Sequence, residues 1–343
     1  MKKIIFLALF MSLYVLAQGQ KTYVMHYLPI LTGEQVGAYQ GYDMIVVDHE
    51  VINTSAANLR RMRQDNPELL ILVYSEKMQW HNPMYPDKPW SILMVEELKK
   101  YPKWFLLDAK GKNMTFWPGT IMMNCRLDGP RYQIGKKSYS YIEFFTERYI
   151  NDIIGTYHKE GIRLDGILDD DLFKEISFLG EVDGNRDGVP DEKTELNRQW
   201  RLGNAYFLEK VREKMGKDFL IIGNGGHRYY LDWCNGKQME HFPEIYIGSW
   251  LDNMNNANTM EIALFNARTG EENNWFFTLC SSMLLDNTWF SFGQNTPYET
   301  KYDLKMGQPK GAFFQNSDGT FSRLFEKGKV TVDYQAERAW INK

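Results

Sequence analysis

Cysteine is scarce in this chain: Cys125, Cys234 and Cys280 are the only three among 343 residues. Thiols so few and so scattered support neither a disulfide framework nor a zinc cluster, and at most one pair could bridge; buried thiols are the expectation. A charge excess is lacking as well. Forty basic against 44 acidic side chains leave a net charge of -4, which gives no footprint for nucleic acid or for an anionic membrane. No Gly-rich phosphate loop is present, since Gly223-Asn224-Gly225-Gly226 lacks the dinucleotide pattern and reads as a turn. Long apolar runs are missing with one exception. Lys2 and Lys3 precede apolar residues from Ile4 to Leu16, with small residues around Ala17-Gln18-Gly19. That is the layout of a secretory signal peptide, too short for a comfortable membrane span, and no Cys follows it to carry a lipid. The expectation is an exported, periplasmic or extracellular chain without membrane insertion, from which residues 1–20 are removed.

What is abundant is aromatic: 10 Trp and 20 Tyr contribute to an aromatic content of 15%. Such rings either fill a large core or stack on the apolar faces of sugars. The organising pattern is strands alternating with amphipathic helices, which predicts a parallel sheet. Apolar runs at Tyr23 to Leu28, Met44 to Val47, Leu69 to Tyr74, Leu164 to Leu168 and Phe219 to Asn224 read as five strands buried on both faces. Lys237 to Glu240, Ile262 to Phe265 and Thr288 to Phe292 complete eight. Helices are expected after Thr54 or Ser55 as cap, within 87–101, from Ile142 to Tyr157, around Leu208 to Met215, and over 273–285. Two elaborated loops, 104–138 and 172–195, interrupt the alternation, as loops shaping a cleft do. The fold class predicted is α/β, a (β/α)8 TIM barrel over 21–304, with residues 305–343 as a small C-terminal β appendage packed on it.

In such barrels the active site lies at the C-terminal strand ends. Polar residues recur there: His26 and Tyr27 on the first strand, Asp48-His49-Glu50 on the second, Glu76 on the third. Asp169-Asp170-Asp171 end the fourth, Asn224 the fifth and Glu240 the sixth. Each alone could be a helix cap or a loop ion pair; together they point to one rim. Three adjacent carboxylates are costly unless they face water, a cation or a substrate. Alternation puts Leu168 and Asp170 on one side of the strand and Ile167 and Asp169 on the other. Glycoside cleavage needs two carboxyl groups across the scissile bond, one to protonate the leaving oxygen and one to attack or to activate water.

The Asp165-Gly166-Ile167-Leu168-Asp169-Asp170 stretch resembles the strand-four signature of hypothetical glycosyl hydrolase families of exported bacterial TIM-barrel proteins, distantly similar to α-amylase-like barrels. The similarity extends to Tyr42-Asp43, to Asn235-Gly236 through Glu240-His241-Phe242-Pro243, and to the Gly-punctuated tail. In that pattern the acid five residues after the first Asp occupies the catalytic position, which is Asp170 here. Asp169 stands where many relatives carry an apolar residue, so both stay candidates. The resemblance implies a barrel hydrolase with Glu240 as partner acid, although Glu240 could equally salt-bridge Lys237 or Arg228.

A second motif is Asp183-Gly184-Asn185-Arg186-Asp187-Gly188-Val189-Pro190-Asp191. Its oxygen side chains at positions 1, 3, 5 and 9 and Gly at 6 match a calcium loop, with Asp183, Asn185, Asp187 and Asp191 as ligands. A solvated Asp/Asn/Gly turn is the alternative. The reading that collects these features is an exported glycoside hydrolase cleaving O-glycosidic bonds of a poly- or oligosaccharide. Asp170 or Asp169 would be nucleophile or base and Glu240 general acid, with His26, Asp48, Glu76, Trp80, Asn224 and Trp250 binding substrate and Ca2+ steadying the loop after strand four. Its rivals are a non-catalytic carbohydrate-binding protein on the same scaffold, and a metal-dependent hydrolase using Asp48, His49 and Asp170.

Overall fold

The computed structural model describes residues 20–243, 248–267 and 274–343, with His227 described by its backbone only. The expected leader lies outside the described residues except for Gln20. Eight parallel strands follow one another in chain order around a single sheet. They are β1 (Tyr23–His26), β2 (Met44–Val47), β3 (Leu70–Ser75), β4 (Gly166–Leu172), β5 (Leu220–Gly225), β6 (Gly236–Phe242), β7 (Ile262–Ala267) and β8 (Thr288–Phe292). A parallel bridge between Thr22 and Phe290 brings the last strand back to the first. All eight expected strands are present, and the fold is a TIM-type barrel.

Helices cover the outside: α1 (Gly33–Ala38), α2 (Val51–Asp65), α3 (Pro89–Leu98), α4 (Tyr141–Arg148), α5 (Gly155–Lys159), α6 (Lys193–Met215), α7 (Trp250–Asn258) and α8 (Asn274–Ser282). A π-helical stretch, Tyr149–Ile154, joins α4 to α5. The helix expected to start at Thr54 or Ser55 begins earlier, at Val51, and is kinked at Ser55 (φ -143°). The Ser55 hydroxyl accepts from Leu31 N (3.0 Å) instead of capping. The β1 strand stops at His26, two residues short of the expected Leu28.

Side-chain parity divides the barrel into two layers. Tyr23, Met25, Met44, Val46, Leu72, Leu168, Ile222, Leu264 and Trp289 pack on one another as one cluster that fills the lumen. Val24, Ile45, Val47, Ile71, Val73, Ile167 and Ile221 belong to a larger cluster against the helices. Period-2 alternation along each strand therefore decides which residues can reach the mouth. Gly166 has a packing reason at the start of β4, since a Cβ there would lie 2.5 Å from the Leu220 carbonyl oxygen. The neighbouring Asp165 pairs with Arg63 and accepts from Ile71 N (2.8 Å), which makes it a clasp at the barrel's N-terminal end.

The first long loop contains antiparallel ladders, Gln79–His81 on Thr120–Met122 and Tyr132–Ile134 on Lys137–Tyr139. It is laced to the second loop by pairing of Leu107–Asp108 with Val182–Asp183. Beyond the barrel, β9 (Phe314–Gln315), β10 (Phe321–Phe325), β11 (Gly328–Asp333) and β12 (Arg338–Asn342) form a four-stranded antiparallel sheet. Phe321, Phe325, Val330 and Val332 from it share a core with Trp250, Phe265 and Phe277. All three cysteines are buried and unbridged, as expected.

Candidate active site

On six of the eight strands the lumen parity, continued toward the C-terminal end, delivers a polar group to the barrel mouth. Met25 leads to Tyr27, Val46 to Asp48, Leu72 to Tyr74 and then Glu76, Leu168 to Asp170, Ile222 to Asn224, and Gln238 to Glu240. A cavity of about 580 Å³ opens there, within the size range of sites for small ligands. Tyr27, Asp48, Tyr74, Glu76, Trp80 and Asp170 are among its lining residues.

Asp170 is held from both sides. Its Oδ2 accepts from the Tyr74 hydroxyl, and its Oδ1 accepts from Asn224 Nδ2 at 2.8 Å and from Asp171 N at 2.8 Å. The same Asn224 nitrogen donates to Glu240 Oε2 at 3.1 Å. The middle strand of three, β5, thus supplies one amide that touches an acid from β4 and an acid from β6. Because both acceptors bond to one nitrogen, those two oxygens lie less than about 6 Å apart. Burial, followed by the charges of Asp170, Glu240 and Asp48, pushes the Tyr27 hydroxyl well above its usual range. It therefore stays protonated, and its hydroxyl donates to Met25 Sδ at 3.6 Å. Tyr27 also packs edge-on to Tyr74, ring centroids 4.9 Å apart.

The structure separates the other expected residues. Asp48 lines the cavity but is bonded to Lys88 Nζ (2.6 Å). Burial opposes its charge, yet His49 and Lys88 outweigh that and keep its carboxyl below the usual range. His49 donates to or accepts from the Ser91 hydroxyl (2.9 Å), and Glu50 accepts from Trp90 N and Ser91 N, capping α3 from below the cleft. Asp48, His49 and Asp170 are thus engaged separately and do not converge as a ligand set. Trp80 is mostly buried, presenting an edge to the cavity while its Nε1 donates to the Tyr141 hydroxyl (3.0 Å).

Three expectations are corrected. His26 does not reach the cleft: it has the parity of Val24, is fully buried, and is fixed by the Tyr39 hydroxyl (3.0 Å) and the Ile30 carbonyl (3.1 Å). Asp169 has the parity of Ile167, so it points into the helix layer and forms an ion pair with Lys77 (2.7 Å), both side chains at most 1% exposed. Trp250 sits in the first turn of α7 and stacks on Tyr334 (5.3 Å) in the core shared with the C-terminal sheet, outside the cavity lining. Tyr27, Tyr74 and Asp171 join the site in the structure, through the lumen face of β1 and β3 and the end of β4.

The 183–191 loop is closed by its own hydrogen bonds. Asp183 accepts from Asp187 N (3.1 Å) and Gly188 N (3.0 Å), while Asp191 pairs with Arg126 and accepts from Gly184 N (2.7 Å). Asn185 donates to Asp187 (3.1 Å). Among the described residues no three His, Cys, Asp or Glu side chains are placed to hold a metal ion.

Glu76 and Asp171 form a second acid pair beside Asp170. Glu76 accepts from Met78 N (2.7 Å), and Asp171, at φ 48°, accepts from Gln79 Nε2 (2.9 Å). Burial, then the charges of Asp171 and Asp170, raise Glu76 well above the carboxylate range. Burial and Asp170 push Asp171 up to about 7. A carboxyl kept neutral in the fold costs stability as pH rises from its unfolded pKa of about 4 toward its folded one. Glu76→Gln keeps an acceptor for Met78 N without that cost. Its stability relative to wild type should rise between pH 5 and pH 8. Urea melts at the two pH values measure this, and an equal difference at both would refute a Glu76 carboxyl kept neutral by the fold.

The family model described as hypothetical glycosyl hydrolase family 15 matches residues 63–329. The chain belongs to that family. Membership makes it a glycoside hydrolase by family. No curated protein sequence matches it. Among solved structures it is similar to an α-N-acetylgalactosaminidase from Bifidobacterium bifidum in its GalNAc complex, at 9% identity and a TM-score of 0.51, over 94% of this chain and 57% of that one. It is also similar to the glycoside hydrolase domain of PelA from Pseudomonas aeruginosa, at 12% identity and a TM-score of 0.45, over 73% of this chain and 84% of that one. A dextranase from Flavobacterium johnsoniae matches at 8% identity and a TM-score of 0.49, over 83% of this chain and 38% of that one. The family hydrolase thus spans little more than half of the acetylgalactosaminidase. The likeness to these structures is one of fold.

Proposed function

We propose that the chain hydrolyses an O-glycosidic bond of an oligo- or polysaccharide, with Asp170 as nucleophile and Glu240 as general acid and base. The observation that carries this is the Asn224 bridge, which sets a carboxylate from β4 and one from β6 against a single amide. The bonded oxygens are closer than the ~6.5–9.5 Å that leaves room for an attacking water, and fit the shorter span of enzymes that attack directly. On this reading the anomeric configuration is retained. Tyr74 and Asn224 aim the Asp170 carboxylate into the cavity, while Glu240, with a side chain 34% exposed, stays open to exchange its proton with water. Tyr27, Asp48 and Glu76 would orient substrate hydroxyls from the lining.

The test is reducing-end release on a panel of plant, host and bacterial glycans, with the anomer first formed from any substrate read by proton NMR. Turnover with retention is expected. Binding without turnover on every glycan would replace the enzyme with a carbohydrate-binding protein on the same scaffold. Export belongs to the same proposal, supported by the Lys2–Gly19 pattern. So does calcium at the 183–191 loop, supported by its oxygen spacing alone. If the ion is bound, chelation should lower the Tm by several degrees and added Ca2+ should restore it. An unchanged Tm would leave the loop to Arg126 and its own amides.

A further inference from the structure

Large exposed apolar side chains are unevenly spread over the barrel, and several lie on the rim beside the carboxylates. Trp117 is 58% exposed and lines the cavity; Phe178 is 56% exposed. Phe116 joins them, its ring centroid 5.1 Å from Trp117 and 6.4 Å from Phe178. Phe173 supports the row from beneath, 5.3 Å from Phe116 and 5.6 Å from Phe178. Trp117 and Phe116 come from the loop after β3 and Phe178 from the loop after β4, so the row runs outward from the mouth on the Asp170 side.

The turns that carry these rings are pinned by hydrogen bonds. Trp117 opens a turn in which its carbonyl accepts from Thr120 N (3.0 Å) and Thr120 Oγ1 (2.7 Å), with Gly119 at φ 81°. Thr120 Oγ1 also lies 2.9 Å from Gln79 Oε1, and the Gln79 amide nitrogen bonds Asp171. Phe178 rides on a short turn pinned where Asn197 Oδ1 accepts from Ile176 N (3.0 Å) and Ser177 N (3.1 Å). Contiguous apolar surface held in water on pinned turns marks a binding surface, because nothing within the fold compensates its exposure. Its continuity with the carboxylate cavity indicates what lies on it.

We propose that Trp117, Phe116 and Phe178 form a stacking platform that carries an extended glycan chain away from Asp170, so the substrate is a polymer held over several sugar units. The platform rests on the glycosidase reading above for its occupant. Flat rings meet the apolar faces of pyranoses, and the hydroxyls at the sugar edges stay in water. A chain bound this way contacts the cavity with one unit and the platform with the next ones.

The experiment uses the Asp170→Asn chain, which reads binding without cleavage, in native gels cast with dextran, starch, chitosan or mucin glycans. Retardation is expected in at least one gel. In that gel Trp117→Ala and Phe178→Ala on the Asp170→Asn background should each weaken retardation about tenfold at unchanged Tm. A tetrasaccharide of the retarding polymer should compete and its monosaccharide should not. Retardation unaffected by both ring variants, equal competition by the monosaccharide, or no retardation in any gel would each overturn the platform. Failure of the two readings is distinguishable. Polymer binding lost in the ring variants, with no turnover by wild type, keeps the platform and removes the hydrolase. Turnover equal on short and long substrates in wild type and Trp117→Ala does the reverse.

Discussion

Asp170→Asn should abolish turnover on whichever glycan the wild-type chain cleaves, by at least about 10³-fold, with the thermal melt little changed. The amide oxygen can still accept from Asn224 Nδ2 and Asp171 N, while the amide nitrogen takes the place of the oxygen at the Tyr74 hydroxyl, which can rotate to accept from it, so the mouth stays assembled while the nucleophile is gone. Glu240→Gln should behave differently. Loss of a general acid costs about 10²–10⁴-fold on a natural glycan, but much less on an aryl glycoside whose leaving group departs without a proton. Azide should restore activity to a small side chain at one of the two positions and form the glycosyl azide there. Kinetics on both substrate types, with product anomers read by NMR, check the assignment. A Glu240→Gln deficit that is the same for both leaving groups would sink Glu240 as the proton donor. Turnover that survives Asp170→Asn would remove it as the nucleophile and leave the other acids lining the cavity, Asp48, Glu76 and Asp87.

The second large effect concerns stability. Lys77→Met should destabilise the fold by about 3–5 kcal/mol, because it leaves the Asp169 carboxylate buried without a counter-charge. The pair is almost fully out of water, at 2.7 Å, with the ammonium also 5.3 Å from the Phe207 ring. Burial alone would lower the ammonium's pKa, but Asp169 outweighs it and holds the charge. The double variant Lys77→Met/Asp169→Leu should recover most of the loss, since two well-packed apolar side chains replace a buried ion pair at little net cost. Urea denaturation of wild type, Lys77→Met, Asp169→Leu and the double variant gives the cycle. A single variant within 1 kcal/mol of wild type, or a double no better than the single, would show that the pair is not what the helix layer depends on.

The contrast between Asp169 and Asp170 shows how far the chain could be read in one dimension. Adjacent, chemically identical residues ended on opposite sides of one strand, one locked in the core and one at the mouth. The Leu168–Asp170 and Ile167–Asp169 split was legible from alternation. Which member of the split faces the lumen was not, because both faces of a parallel barrel strand are apolar and each looks the same in sequence. The same ambiguity put His26 forward in place of its neighbour Tyr27. Trp250 misled for another reason: an indole near a strand end is equally suited to a cleft or to the seam beneath a second sheet, and the C-terminal sheet claimed it.

The order of strands and helices, the barrel class, the rim of polar residues and the acid at the end of β4 were determined by the sequence alone. Apolar periodicity and strand-end chemistry are local properties, expressed over a few residues. The tertiary structure decided the rest. The amide bridging two acids joins residues 54 and 16 positions apart, and the Lys77–Asp169 pair spans 92. Such contacts depend on register between strands and on the direction in which the sheet closes. Those are set by packing of the whole barrel, and no local pattern encodes them.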